Sequence, residues 1–265
     1  MENIAQQVST IEMVRSGAWI APGLRHGFFG RTGGVSRDRF ATLNLAGHND
    51  DDPAAVAENW RRAIAEIGPA RTIVRLHQVH GTEIHLLDGR YDGARLTGDG
   101  AIATIPGITV GVFTADCVPL LMIDPQQRIA GAFHAGWRGT LAGIAASAVK
   151  LMVAAGANRD RMRALIGPAI GQCCYEVDEE LGVRFGQRYR FASACLRPGK
   201  PGKLMLDLRG VINAQLIEAG MNCASIELVG PCTRCAADRF FSRRAAQGPC
   251  GLQFSFVGFD DGSSA

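Results

Sequence analysis

Residues 118–134 read VPLLMIDPQQRIAGAFH, and their polar centre at residues 124–127 separates two apolar runs. Asp-Pro followed by two glutamines is turn chemistry, and the runs on either side have the length of buried strands. We therefore predict neighbouring strands at residues 118–123 and 129–133, paired as in a hairpin. Cys117 lies near one end of this pair, and His134 near the other.

Further strands are predicted where short apolar or β-branched runs stand between turn residues. These runs lie at residues 72–79, 84–87, 108–113, 163–166, 225–229 and 253–257. Helices are predicted at about residues 53–67, 141–155 and 208–219, from Asp and Thr at their starts and Gly at their ends. Strands outnumber helices, so the pattern favours an α+β or mixed layered fold over a doubly wound parallel sheet.

Composition excludes several classes of protein. The 265 residues carry a net charge of +3 and no basic stripe interleaved with aromatics, which disfavours nucleic-acid binding. Residues 101–123 are apolar but contain Pro106 and Pro119, which is untypical of a membrane span. Residues 1–7 lack the pattern of a secretory leader. We therefore expect a cytoplasmic protein whose eight cysteines are mostly reduced.

His80, Cys117 and His134 lie at or next to three separate predicted strand ends. Two imidazoles and a thiolate form a three-ligand zinc site with an open fourth position. The same groups also suit a cysteine nucleophile with its histidine base, or simple packing. His77 would point to the opposite face of a strand from His80, so we favour His80 for the site.

Two glycine-containing loops carry arginines suited to anions. One is residues 30–36 with Arg31, and the other is residues 134–140, where Arg138 precedes a predicted helix start at Thr140. The Cys-x-x-Cys pair at residues 232–235 has no second such pair in the sequence. We interpret it as structural or incidental, with redox chemistry less favoured, and adjacent Cys173 and Cys174 as packing residues.

Seven motifs occur together in one order along the chain. The motifs are GRTGGVS at 30–36, LNL at 43–45, QVHG at 78–81, TADCVPL at 114–120, HAGWRG at 134–139, IGPAIG at 166–171 and FFSRR at 240–244. Through them the chain resembles the YfiH/YlmD family, which is also called the laccase-domain or polyphenol oxidase family. The resemblance covers about residues 20–258.

The resemblance implies one domain over residues 1–265, with its core at about 20–258 and four α/β/β/α layers built on mixed sheets. It also implies zinc held by the catalytic residues His80, Cys117 and His134. Copper could displace zinc at that site, because it binds such donors more tightly. The implied activities are phosphorolysis of adenosine, inosine, guanosine and methylthioadenosine, and deamination of adenosine. The partners would be purine nucleosides and phosphate, without nucleic acid or membrane, and the protein a monomer or small homo-oligomer.

Six residues of the chain are expected to contact substrate. They are Arg31, Asn44, Gln78, Asp116, Arg138 and Thr140. Asp116, beside Cys117, is also a candidate proton carrier. No arginine stands near Leu252, where the family often has one.

Three other functions remain open from the sequence. A metal-free cysteine hydrolase would use Cys117 as nucleophile and His134 as base. A copper-dependent phenol oxidase is disfavoured because a four-copper centre needs many histidines, and the chain has six. A metal-stabilised binding module is the non-catalytic alternative.

Overall fold

The computed structural model describes residues 10–47 and 49–262. Residues 1–7, in which no secretory leader is predicted, lie outside the described residues, as does His48. The described helices are α1 Pro53–Ile67, α2 Trp137–Ala142, α3 Ile144–Ala154, α4 Glu179–Arg188, α5 Leu208–Glu218 and α6 Arg243–Ala246. None of these helices combines the length and the apolar character that crossing a bilayer requires.

The strands form two large sheets and one small sheet. In chain order they are β1 Met13–Val14, β2 Leu24–Phe29, β3 Thr72–Arg75, β4 Ile84–Leu87, β5 Gly100–Ala103, β6 Ile108–Thr114, β7 Val118–Asp124, β8 Ile129–Ala135, β9 Arg163–Ile166, β10 Glu176–Asp178, β11 Leu196–Pro198, β12 Lys203–Leu206, β13 Ile226–Leu228 and β14 Gln253–Phe259. The five-stranded sheet has the order β1-β2-β14-β6-β3, the six-stranded sheet β13-β9-β7-β8-β5-β4, and the small sheet β10-β12-β11.

Both large sheets are mixed. Parallel pairs join β3 to β6, β4 to β5 and β13 to β9, and the other pairs are antiparallel. The predicted hairpin is β7 and β8, in which Pro119 pairs with His134 and Asp124 with Ile129. Antiparallel pairing brings the start of β7 beside the end of β8. Cys117 and His134 therefore meet at the open end of the hairpin.

Side chains of β7 alternate between two hydrophobic cores, which explains its uninterrupted apolar sequence. Leu121 and Ile123 point between the two large sheets. Leu120 and Met122 pack on the opposite side against α3 and α5. A third core lies between α1 and the outer face of the five-stranded sheet, around Trp60. The order α1, sheet, sheet, α3 with α5 confirms the four α/β/β/α layers.

Local sequence signals located some element ends and missed others. Helix α1 has the predicted bounds because Asp52 accepts the Ala54 N–H at 2.9 Å and Gly68 ends the helix at φ +82°. The helix predicted at 141–155 is instead two helices, because Gly143 adopts φ +91° between α2 and α3. The strand predicted at 72–79 ends at Arg75, since the chain then turns towards His80.

Candidate functional site

His80, Cys117 and His134 come together at one edge of the six-stranded sheet. The side-chain atoms that could bind a metal all lie within 4.8 Å of one another. Cys117 precedes β7, His134 lies on β8, and His80 comes from the turn after β3. The two imidazoles meet edge to face, with ring centroids 4.8 Å apart. The structure therefore unites the three residues that the sequence singled out.

Asp99, which is fully buried, positions both histidines. Its Oδ1 lies 2.7 Å from His134 Nδ1 and accepts the His80 N–H at 2.9 Å. Its Oδ2 accepts the N–H groups of Val79 at 3.2 Å and Gly81 at 2.7 Å. These bonds hold the turn in which His80 adopts φ +61°. Because Nδ1 of His134 faces Asp99, its Nε2 is the atom left for a metal.

Cys117 and His134 shift each other's protonation. Burial alone would raise the pKa of the Cys117 thiol, but the charge of His134 and hydrogen bonds from both histidines lower it overall. Burial alone would lower the pKa of His134, but the Cys117 thiolate and the hydrogen bond to Asp99 raise it. Without a metal, both shifts favour the thiolate and the imidazolium over the neutral pair. A thiolate is also the form of cysteine that binds metal.

Gly136 keeps the space between the three side chains open. A Cβ atom at this position would lie 3.0 Å from His80 Cδ2 and 3.2 Å from Cys117 Sγ. The next glycine in the motif, Gly139, lets α2 approach the His80 turn, since a Cβ there would lie 2.7 Å from the Gly81 carbonyl oxygen. The glycines of the HAGWRG motif thus serve packing around the cluster. The donor set, its spacing and this clearance fit a metal ion of the zinc class.

A cavity of about 520 Å³ opens above Cys117. This volume is typical of sites for small organic ligands. Its wall contains both aromatic and cationic side chains. The lining residues are Ala115, Asp116, Cys117, Trp137, Ile170, Tyr175, Leu208, Arg243, Arg244, Gln247 and Gly248.

Tyr175, Arg243 and Arg244 are among the polar residues that line the cavity. Burial and the nearby Cys117 thiolate raise the pKa of Tyr175 to about 12, so its hydroxyl is protonated at neutral pH. The Arg244 guanidinium lies 5.4 Å from the Tyr175 ring centroid and donates to the Glu176 carbonyl oxygen at 3.1 Å. Arg243 is exposed and donates no side-chain hydrogen bond within residues 10–47 and 49–262. Its five N–H donors are therefore available to a ligand.

Asp116 and Arg138 are the expected substrate contacts that lie near the cavity. Asp116 is part of its wall, but Oδ1 accepts from Thr233 Oγ1 at 2.6 Å and Oδ2 from the Arg244 N–H at 2.7 Å. Arg138 is exposed, with its guanidinium 4.4 Å from the centroid of the Trp137 ring, which also lines the cavity.

The other four expected contacts are positioned elsewhere and bind parts of the chain instead. Asn44 is fully buried and accepts the Leu252 N–H at 3.0 Å. Arg31 donates to the carbonyl oxygens of Ala41 and Ala237, both at 2.7 Å. These contacts join loops of the fold, and substrate binding by Asn44 and Arg31 stays a prediction.

Gln78 and Thr140 also bond to other parts of the chain, and their substrate contacts stay predictions. The Gln78 amide exchanges two hydrogen bonds with the Phe113 backbone, at 2.7 and 2.8 Å. Thr140 is fully buried within α2, and its carbonyl oxygen accepts from Gln215 Nε2 at 2.7 Å. Neither side chain lines the cavity described above.

The remaining described histidines lie outside the cluster. His26 packs on Trp19, His85 Nε2 lies 2.7 Å from the Thr97 carbonyl oxygen, and His77 pairs with Thr97 through its backbone. Within the described residues, histidines contribute to a group of three or more metal-ligating side chains only through His80 and His134. The described part of the chain therefore holds no histidine-rich centre of the kind that four coppers need.

Sequence reasoning missed Asp99, Tyr175 and the roles of the paired arginines. Asp99 stands before a Gly-Ala strand, and its partners are 18 to 35 residues away in the chain. Tyr175 follows the two cysteines that we interpreted as packing residues. The FFSRR motif did signal Arg243 and Arg244, but nothing local placed them beside Cys117.

Comparison with known proteins identifies relatives of the chain. A family model described as multi-copper polyphenol oxidoreductase laccase matches residues 25–260. The purine nucleoside phosphorylase Rv2149c of Mycobacterium tuberculosis is 38% identical over 86% of this chain and 88% of that protein. The adenosine deaminase RL5, from an unknown prokaryotic organism, is 34% identical over 78% of this chain and 83% of that protein. The crystal structure of a hypothetical protein YfiH from Bacillus licheniformis superposes with a TM-score of 0.83 and 34% identity, covering 89% of this chain and 93% of that one.

Proposed function

Since the chain belongs to the multi-copper polyphenol oxidoreductase laccase family, the family of YfiH and YlmD, we propose that it is a zinc-dependent purine nucleoside phosphorylase that also deaminates adenosine. Its substrates would be adenosine, inosine, guanosine and methylthioadenosine, with phosphate as the co-substrate. We further propose that residues 1–265 act as a single domain in the cytoplasm, as a monomer or small homo-oligomer.

One observation carries this proposal: the cluster of His80, Cys117 and His134 adjoins a cavity with aromatic and cationic walls. Relatives named purine nucleoside phosphorylase and adenosine deaminase support the choice of substrate class. A nucleoside has an aromatic base and a polar sugar, and phosphate is an anion. The cavity offers groups suited to each of these parts.

His80, Cys117 and His134 would hold the zinc ion, with Asp99 fixing His134 so that Nε2 faces the metal. When bound, the ion would supply Lewis acidity at its open fourth position. Copper binds the same nitrogen and sulfur donors and could replace zinc there.

Phosphorolysis breaks the bond between ribose C1′ and purine N9. The electron pair leaves with the purine, and a phosphate oxygen forms the new bond to C1′. We place the purine against Trp137, because stacking of a base on an aromatic ring contributes about 1–3 kcal/mol. The Tyr175 hydroxyl, protonated at neutral pH, would donate a hydrogen bond to the leaving purine.

Phosphate would bind at Arg243, with Arg138 as a second cation near the cavity. The free guanidinium of Arg243 suits two phosphate oxygens at once. Arg244 is already engaged by the backbone near Tyr175. We assign Asp116 to holding Arg244 and Thr233, because both of its oxygens accept hydrogen bonds from them.

Deamination replaces the amino group at purine C6 with the oxygen of water, and ammonia leaves. It needs no phosphate, so it should be independent of Arg243. The sequence has Pro-Cys-x-x-Cys at residues 231–235 but no His-x-Glu motif, so it lacks the complete pattern of nucleobase deaminases. Any deamination here would therefore use the His80, Cys117 and His134 cluster instead.

A metal-free cysteine hydrolase is the second candidate, and one observation favours it. Cys117, His134 and Asp99 form a chain of nucleophile, base and orienting carboxylate. His80 is not needed in that mechanism, but it points at the same thiolate. A metal would occupy the thiolate and remove the nucleophile.

Product analysis with a metal-binding variant tests the proposal. Wild-type protein incubated with adenosine and phosphate should form adenine and ribose 1-phosphate, together with inosine. Cys117→Ala should lose these products and one equivalent of metal, whereas Cys223→Ala, at an exposed cysteine elsewhere, should retain both. Full turnover by metal-free Cys117→Ala protein would exclude the zinc mechanism. Rapid alkylation of Cys117 in an active metal-free wild type would favour the hydrolase.

A further inference from the structure

Four cysteines meet on the side of the molecule where β9 and β13 end. Cys173 and Cys174 follow β9, and Cys232 and Cys235 follow β13. Strands β9 and β13 are parallel neighbours, so the loops after them leave the same edge of the sheet. An isolated bridge between Ala169 and Cys232 continues this pairing into the loops. The fold thus supplies the second cysteine pair that the sequence did not reveal.

The spacing of the four sulfur atoms suits a single metal ion. All four lie within 4.8 Å of one another, and each belongs to a free cysteine. Cys235 Sγ lies 3.7 Å from Cys173 Sγ and 3.4 Å from Cys174 Sγ. Four thiolates around zinc at about 2.3 Å would be separated by about 3.8 Å in a tetrahedron. The observed separations are close to that value.

The backbone around Cys232 supports its use as a ligand. The Gly171 N–H donates to Cys232 Sγ at 3.2 Å. N–H donors directed at sulfur stabilise a metal-bound thiolate and fix its direction. Cys232 and Cys235 also have the two-residue spacing that recurs in structural zinc sites.

We propose that Cys173, Cys174, Cys232 and Cys235 bind one structural Zn²⁺ ion in a site separate from His80, Cys117 and His134. Four protein sulfurs leave no open position, so this ion would not take part in the reaction. It would join the loops that follow β9 and β13.

This site would brace the wall of the cavity. Tyr175 and Ile170, which both line the cavity, belong to the loop that carries Cys173 and Cys174. In the other loop, Thr233 donates to Asp116 Oδ1 at 2.6 Å, directly beside Cys117. A metal joining the two loops would therefore fix Tyr175 and Asp116 relative to the reaction centre.

Metal counting in four proteins tests the proposal. Zinc per chain is measured after purification in the presence of a thiol reductant. Double variant Cys232→Ser/Cys235→Ser should hold one zinc fewer than wild type, whereas control Cys223→Ser should equal wild type. Cys117→Ala should also hold one zinc fewer than wild type, because it loses the ion held by His80, Cys117 and His134. The difference between wild type and the double variant does not depend on whether the His80 centre binds metal, so the two proposals fail separately.

Cobalt substitution keeps the test valid if the double variant does not fold. Cys117→Ala protein, stripped of metal and titrated with Co²⁺, should bind one equivalent and show the strong sulfur-to-cobalt charge transfer of a four-thiolate site. Equal zinc content in wild type and the double variant would overturn the proposal. So would disulfides mapped among these four cysteines in protein freshly purified anaerobically without reductant, because the disulfides would then occupy the sulfurs.

Discussion

Asp99 Oδ1 lies 2.7 Å from His134 Nδ1, and the same oxygen accepts the backbone N–H of His80 at 2.9 Å. One buried carboxylate therefore fixes the ring of one candidate ligand and the backbone of another. Burial alone would raise the pKa of Asp99, but the hydrogen bonds from His134 and the Gly81 N–H lower it, which keeps the group charged. Histidine ligands of metals commonly have such a partner.

Asp99→Asn should weaken metal binding at the His80 centre. An amide cannot accept four N–H donors, so His134 and the turn at His80 lose their common support. Losing such a partner typically costs about 10–100-fold in metal affinity. Competition with a chromogenic chelator measures this, in a Cys232→Ser/Cys235→Ser background that removes the second cluster.

Asp124→Asn is the matched control. Asp124 is also fully buried and accepts N–H groups of Gln126, Gln127 and Asn158, but at the far end of the hairpin. It should lower stability while leaving metal affinity unchanged. Equal affinities in the Asp99 and Asp124 variants would contradict the role of Asp99.

Gly136→Ala should exclude the metal from the His80 centre. Its Cβ would lie 3.0 Å from His80 Cδ2 and 3.2 Å from Cys117 Sγ, so at least one ligand must move. Gly186→Ala on α4 is the control, since no atom lies within 4 Å of its Cβ position. The control should bind metal normally and gain about 0.5–1 kcal/mol of stability. Normal metal content in Gly136→Ala protein would count against the site.

Arg243→Ala should impair phosphorolysis and spare deamination. Losing a charge-assisted contact of about 1.5–3 kcal/mol should raise the KM for phosphate by roughly tenfold or more. Initial rates of ribose 1-phosphate and inosine formation, measured against phosphate concentration, separate the two activities. Arg243→Lys should recover part of the phosphate affinity. A parallel loss of both activities would contradict the assignment of Arg243 to phosphate binding.

Asn44→Ala should destabilise the fold rather than weaken substrate binding. Asn44 Oδ1 accepts the N–H groups of Ala46 and Leu252, and Nδ2 donates to Asp51 at 2.8 Å. Leaving such buried groups unpaired costs about 1–3 kcal/mol each. Denaturant unfolding should show this loss, while the KM for adenosine changes less than about twofold. A large rise in KM at unchanged stability would instead support the predicted substrate contact of Asn44.

His26 should make stability depend on pH between 6.5 and about 4. Burial, and then the charge of Arg15, lower the pKa of His26 to about 4 despite the hydrogen bond from the Ser16 N–H. In this window the unfolded chain binds a proton that the folded chain does not, so stability falls as the pH falls. The contribution amounts to about 3 kcal/mol at most. Between pH 6.5 and about 4, the free energy of unfolding should fall less steeply with falling pH in His26→Phe than in wild type. Equal slopes in the two proteins would contradict this role of His26.

The sequence predicts the fold best where local chemistry acts alone. Asp52, Pro53 and Gly68 define α1 because capping and backbone preferences operate within a few residues. Strand β5, at Gly100–Ala103, was not predicted because its small side chains give little β signal. It forms because β8 and β4 pair with it on both sides, which is information from distant parts of the chain.

The contrast between local signals and information from distant parts of the chain also applies to the site. The sequence predicts a strand end at or next to each of His80, Cys117 and His134, so their convergence could be predicted. Asp99 and the four-cysteine cluster were not, because their partners are brought together by strand pairing. Asn44 and Gln78 occur in family motifs, but the structure uses their amides to join loops and strands.

Locating the metal directly tests the central claim. Anomalous diffraction at the zinc absorption edge, on crystals of wild-type protein that forms ribose 1-phosphate in solution, should give a peak bonded to His80, Cys117 and His134 Nε2. A separate peak at the four-cysteine cluster would not substitute for it. Fully active crystalline protein with no anomalous density between these three side chains would contradict the zinc mechanism.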